Sequence, residues 1–253
     1  MEVQMLSMTG KVILITGAGS GLGQSHAVLF SKYGADIIIQ DVNGDGAAET
    51  AEMVSANGGK SHVMIGDVRA SDEFSEGAKI AMAKLGPVDV LINNAGISSR
   101  GRAFEEIDDE IMAEMFDINI KGAYVATRSV LAGMKERKEG RIINTSSIFG
   151  MAGTAQGSHY CGAKAALIGL TKAWAKEFAP WNILVNAVAP GFIPTPMTNR
   201  PGKDALREAR IATVPLGHEG EPNDISHAVV YFASEGGKYV TGQVLSPNGG
   251  VVI

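Results

Sequence analysis

The chain has 253 residues, enough for one domain with a substantial core. Apolar residues make up 45% and charged residues 19%, and the net charge of −5 argues against nucleic acid or an anionic membrane as partner. Cys161 is the only cysteine, which excludes an intrachain disulfide and fits a reducing compartment. The N-terminal MEVQMLSMTGK lacks the pattern of a signal peptide, and no apolar run reaches the ~20 residues of a membrane helix. A soluble cytoplasmic protein is expected.

Lys11 to Thr16 (KVILIT) has the apolar, β-branched character of a strand buried on both faces. It runs into Thr16-Gly17-Ala18-Gly19-Ser20-Gly21-Leu22-Gly23, and Gln24 to Tyr33 reads as a helix. A strand, a glycine-rich turn and a helix start aim free N–H groups and a positive helix end at a phosphate. The spacing is T-G-x-x-x-G-x-G, through Thr16, Gly17, Gly21 and Gly23, and not G-x-G-x-x-G. Asp36 to Gln40 forms a second strand closed by Asp41. An acidic side chain there accepts from adenosine ribose hydroxyls and repels a 2′-phosphate, and no Arg or Lys stands at Ser20, Val42 or Asn43. NAD is therefore expected over NADP.

A helix over residues 45 to 56 precedes a strand at His62 to Ile65, which ends in Gly66-Asp67-Val68. A helix over residues 71 to 84 leads to the strand Val88 to Ile92 and its turn, Asn93-Asn94-Ala95-Gly96. Alternating strands and helices predict right-handed βαβ units and an α/β doubly wound parallel sheet, with ligands beyond the carboxyl ends of the strands. A long helical region, residues 108 to 134, carries Asn119, which taken alone reads as a satisfied core amide. Next come a strand at Arg141 to Thr145, Ser146 and Ser147, a loop, and a helix that Tyr160 begins and Pro180 ends. A sixth strand, residues 182 to 188, closes in Pro190-Gly191-Phe192-Ile193-Pro194-Thr195. Residues 195–215, with Arg200, Lys203, Arg207 and Arg210, suit either a lid-like insertion or an ordinary surface loop and helix. A helix at Pro222 to Ala233 and a short strand at Gln243 to Ser246 finish a single domain over 1–253.

Tyr160 and Lys164 carry the chemistry. One helical turn apart, they share a face, so the ammonium can reach the phenol. Lowering the phenol's pKa of about 10 by about three units takes roughly 4 kcal/mol, and a phenol tuned near neutrality can trade protons with a carbonyl or an alcohol. Ser146 or Ser147 can hold the same oxygen. Tyr and Lys at this spacing also occur as plain surface pairs, so the context decides.

In that context the chain resembles the short-chain dehydrogenase/reductase family from about Lys11 to Gly250. The resemblance rests on Thr16–Gly23, Asp67, Asn93–Gly96, Asn119, Ser147, Tyr160, Lys164 and Pro190-Gly191 with Thr195, in the family's order and spacing. It implies a Rossmann-like fold with Tyr160 as acid/base, Lys164 depressing its pKa and holding the nicotinamide ribose, and Ser147 positioning the reacting oxygen. Asn119 becomes the holder of a water that links Lys164 to a proton relay. The implied cofactor site runs through Gly17, Ser20, Gly21, Leu22 and Gly23, then Asp41 and Val42, then Asp67 and Val68 at the adenine. Asn94, Ala95 and Gly96 complete it with Pro190, Gly191, Ile193 and Thr195. Ile148, Phe149, His159, Phe192 and Met197 form the expected substrate wall, and no metal is expected. The implied activity is NAD(H)-dependent interconversion of a secondary alcohol and a ketone, in a homo-oligomer, usually a tetramer. A 3-oxoacyl-carrier-protein reductase is one alternative, although the family's versions usually prefer NADPH. Others are a sugar-nucleotide epimerase or dehydratase and a non-catalytic dinucleotide sensor or scaffold. Two departures stand out: Pro247-Asn248 replaces the family's Val-Asp, and His218 replaces a frequent Arg. Pro247 cannot donate to a ladder, which predicts an edge strand.

Overall fold

Side chains alternate across a strand, so a run of apolar residues supplies two cores at once. The computed structural model describes residues 6–99, 101–198 and 204–253. Its first strand, β1 (Val12–Thr16), sends Ile13 and Ile15 to one face of the sheet and Val12 and Leu14 to the other. In β2 (Asp36–Asp41), Ile37 and Ile39 join the first core and Ile38 the second.

β3 (Ser61–Ile65), β4 (Val90–Asn93), β5 (Gly140–Thr145), β6 (Ile183–Val188) and β7 (Val244–Leu245) complete a sheet in the order β3-β2-β1-β4-β5-β6-β7. All six pairings are parallel. Parallel neighbours require crossovers, and the helices cover both faces. The first core is closed by α1 (Gly21–Lys32), α2 (Gly44–Ala56) and α9 (Pro222–Ala233). The second is closed by α3 (Ser71–Leu85), α5 (Gly122–Arg137) and α7 (Ser158–Phe178). The doubly wound sheet expected from the sequence is present. Strand order reverses between β1 and β4, which opens a crevice at their carboxyl ends.

Three local details differ from the pattern reading. The long helix splits into α4 (Asp109–Phe116), a π-helical turn (Asp117–Lys121) and α5, and Asn119 sits on that turn. Such a turn is set by tertiary packing, often at functional sites, and leaves little trace in residue periodicity. Asn182 is not in β6 but left-handed at φ +52°, a conformation that Asn tolerates. Pro247 follows an edge strand as expected, yet its carbonyl accepts from Gly191 N at 3.1 Å, so the missing N–H faces β6. The Ser246 hydroxyl bonds the carbonyl of Ala189 at 2.7 Å, on the same flank of the ladder. The remaining helices are α6 (Ile148–Ala152) and α8 (Asp204–Ile211). No helix of the described residues is long and apolar enough to cross a membrane.

Candidate active site

The turns after β1 and β4 are laced together. The Thr16 hydroxyl accepts the N–H groups of Asn94 and Ala95, each at 3.0 Å. The Asn94 amide donates to the carbonyls of Thr16 and Gly17 at 3.0 and 3.1 Å. Gly17 has φ +65°, and a Cβ there would lie 2.9 Å from Ala95 Cα, so only glycine lets the two turns meet. Gly23, expected at the cofactor, does not line the cleft. A Cβ on Gly23 would lie 2.1 Å from the Gly17 carbonyl oxygen, so its role is to let α1 pack on the turn.

Beyond these turns lies a cleft of about 630 Å³. Ser20, Gly21 and Leu22 line it at the start of α1, where no side chain caps the helix and no acidic residue occupies the first turn. Uncapped N–H groups and a positive helix end facing a cavity suit a pyrophosphate. Asp41 and Val42 line the next section. Asp41 accepts from Gly19 N at 2.7 Å and from Asn43 N at 2.9 Å, which fixes its carboxylate against the glycine-rich turn. Asp67 and Val68 follow, and so does Arg69, which the sequence reading omitted. Arg69 grips Asp67 through Nε and Nη2 and holds its carboxyl below the ordinary range.

Ser147, Tyr160 and Lys164 come together where β5 ends. Ser147 caps α6: its hydroxyl accepts from Phe149 N at 3.2 Å, which leaves the proton to donate. It stands close enough to the Tyr160 phenol to favour the phenolate. Ser146 is buried, and its hydroxyl donates to the Lys164 carbonyl at 2.7 Å, tying this loop to α7. The Lys164 ammonium donates to the Thr145 carbonyl at 2.9 Å and stands 5.7 Å from the centre of the Tyr160 ring. Asn119 is buried behind this group. Its amide nitrogen donates to the Met115 carbonyl at 3.0 Å, while Oδ1 has no partner among the described residues. A Cβ on Gly96 would come within 2.5 Å of that Oδ1 and 3.3 Å of Lys164 Nζ, so Gly96 lets the two groups converge.

Burial moves both members of the Tyr160–Lys164 pair. It pushes the Tyr160 phenol above its ordinary value, with Ser147 pulling the other way. The same desolvation brings Lys164 down to about 8. The phenol therefore holds its proton at neutral pH.

Ile148, Phe149, Phe192 and Met197 line the far half of the cleft with Pro190, Gly191, Ile193 and Thr195. His159 does not. Adjacent helical residues point about 100° apart, and its ring is buried away from the cleft beside Arg102, with Nδ1 unpartnered among the described residues. Of the 195–215 stretch, Leu206, Arg207 and Arg210 on α8 reach the cleft, while Arg200 and Lys203 lie outside the described residues. Ser98, Ser99 and Gln156 also line it and were not singled out in the sequence. They sit on irregular loops, where periodicity carries no signal.

The family model described as short chain dehydrogenase matches residues 11–205. The 3-oxoacyl-[acyl-carrier-protein] reductase FabG of Thermotoga maritima is 38% identical over 248 residues, covering 98% of this chain and all of that protein. Its namesake from Pseudomonas aeruginosa is 37% identical over 246 residues, 97% of this chain and 99% of the other. A short-chain type dehydrogenase/reductase from Mycobacterium marinum superposes with a TM-score of 0.92 at 32% identity, covering 99% of this chain and 98% of the other. Levodione reductase gives 0.92 at 30%, covering 96% and 97%. The chain belongs to the short-chain dehydrogenase/reductase family, oxidoreductases that bind a nicotinamide dinucleotide and act on small molecules.

Proposed function

We propose that this protein reduces the ketone of a 3-oxoacyl thioester, and catalyses the reverse oxidation, with NAD(H). The observation that carries the reading is the meeting of Ser147, Tyr160 and Lys164 beside the two laced turns. The chain is also 37–38% identical, over nearly its whole length, to proteins named for 3-oxoacyl reduction. Asp41 supports NAD(H): its carboxylate, fixed at the glycine-rich turn, would repel a 2′-phosphate.

The bound dinucleotide supplies or accepts the hydride. Ser147 donates a hydrogen bond from its hydroxyl to the reacting oxygen and so orients it, keeping its own proton. Tyr160, protonated at neutral pH, hands its proton to that oxygen in reduction and takes it back in oxidation. Lys164, titrating at about 8, stands ready to resupply the phenol. Asn119 Oδ1 is the acceptor on the far side of Lys164, placed for a water that would relay protons.

A second reading, a free secondary alcohol or simple ketone as substrate, is favoured by the mostly apolar wall of Ile148, Phe149, Phe192 and Met197 and by the likeness to levodione reductase. A cytoplasmic homotetramer, the assembly that the family resemblance implies, goes with either reading. Sedimentation tests that part.

The decisive assay follows NADH absorbance with an acetoacetyl thioester and with a panel of free ketones and alcohols. Tyr160→Phe is expected to cut turnover by roughly 10²–10⁴-fold while NADH still binds. Unchanged turnover would reject the role of Tyr160, and the better kcat/KM of the two substrate classes decides between the readings.

A further inference from the structure

Three guanidinium groups line the cleft. Arg69 is paired with Asp67 at 2.6 Å, and Arg207 is paired with Glu219 at 2.6 Å. Arg210 has no carboxylate partner among the described residues. Its guanidinium lies 5.8 Å from the centre of the Phe192 ring. Phe192 in turn lies 6.2 Å from the ring of Phe149, whose N–H donates to the Ser147 hydroxyl. One continuous surface thus runs from the hydroxyl that orients the reacting oxygen, across two aromatic rings, to a half-buried cation.

Such a wall has a defined complement. The rings accept the uncharged body of a substrate, and a guanidinium propped on an aromatic face keeps its N–H fork free for an oxyanion. Glu219 also lines this region, but Arg207 engages it through both Nε and Nη2, so its charge is largely answered.

We propose that Arg210 is a specificity residue, binding an anionic oxygen group that the ketone or alcohol substrate carries beyond its reacting carbon. The inference deepens the proposed function by giving the substrate a charge, and it rests on that reading only for where the reacting carbon sits. A carboxylate on the substrate itself and a phosphate on a thioester arm present the same chemistry to the fork.

The test measures binding separately from turnover. In the enzyme–NADH complex, calorimetry compares 4-oxopentanoate and 4-acetylbenzoate with their methyl esters, and acetoacetyl-coenzyme A with the phosphate-free acetoacetyl-N-acetylcysteamine. The expected result is that at least one anion binds about ten- to a hundredfold more tightly than its neutral counterpart. That preference should vanish in Arg210→Gln and partly survive in Arg210→Lys, with NADH affinity unchanged. Preference for an acid assigns a substrate carboxylate; preference for the coenzyme A ester alone assigns a phosphate arm. Equal binding of anion and neutral partner throughout, or equal weakening of both in Arg210→Gln, overturns the proposal. Tyr160→Phe separates it from the catalytic reading: retained anion binding in that variant, with no turnover of any compound by the wild type, would sink the reading of Tyr160 and leave Arg210 standing.

Discussion

Replacing Lys164 with Met should remove activity and leave a stability difference from the wild type that changes with pH. Lys164 is buried and titrates at about 8 in the fold, against 10.5 for a free lysine. Its folded pKa is depressed, so between those values the unfolded chain binds more protons than the folded one, and wild-type stability rises with pH through that window. Below pH 8 the desolvation penalty is fully present and amounts to roughly 3 kcal/mol; by pH 10 it has fallen below about 1 kcal/mol. Methionine fills a similar volume and carries no charge, but it leaves the Thr145 carbonyl without its 2.9 Å partner, which costs about 1–3 kcal/mol at every pH. The two effects nearly cancel at pH 7, and the variant becomes the less stable protein at pH 10. Urea unfolding of both proteins at fixed concentration, at intervals from pH 7 to 10, reads the difference directly. The variant's relative stability should decline by roughly 2.5 kcal/mol across the range. A difference that stays flat within about 0.5 kcal/mol, or one that grows in the variant's favour, would refute the link between burial and titration at this site.

Other outcomes follow from the same geometry. Asp41→Ala combined with Val42→Arg, at a position two-thirds exposed and free to take a long side chain, should raise the NADPH-to-NADH ratio of kcat/KM by roughly tenfold or more; an unmoved ratio removes Asp41 from cofactor choice. His26 is fully buried, bonds the Ser226 hydroxyl at 2.8 Å and titrates at about 3. With its folded pKa depressed below 6.5, stability drains away as pH falls from 6.5 towards 3, costing roughly 2.5 kcal/mol by pH 4.5. His26→Gln, whatever its stability at neutral pH, should flatten that acid limb in a denaturation series, and an unchanged slope assigns the limb to other groups.

Much of the fold was legible because its signals are local. Apolar runs such as Val12–Thr16 and Asp36–Asp41 carry the mark of strands buried on both faces, and alternation with helices leaves few topologies open. Asp41, Tyr160 and Lys164 follow from a strand end and helical spacing, Ser147 was separated from Ser146 only by the family resemblance, and the structure brings all four to one cleft. Other features had no local mark. The π-helical turn under Asn119 and the position of Ser98, Ser99 and Gln156 arise from packing between distant segments. His159 and Gly23 were misplaced for a related reason. Adjacency to Tyr160 says nothing of which face His159 occupies, and the Gly23 spacing looks the same whether the missing Cβ makes room for a ligand or for the Gly17 carbonyl.

By itself the sequence determined the class of sheet, the ends at which ligands gather and the residue types that exchange a proton there, because strand pattern and helical pitch are properties of neighbouring residues. Only the tertiary structure decided the protonation state of the working pair. Burial, which no short stretch of chain can set, raises the Tyr160 phenol and lowers the Lys164 ammonium. Partner choice was decided the same way: Arg69 meets Asp67 and Arg207 meets Glu219, while Arg210 is left facing an aromatic ring and the cleft.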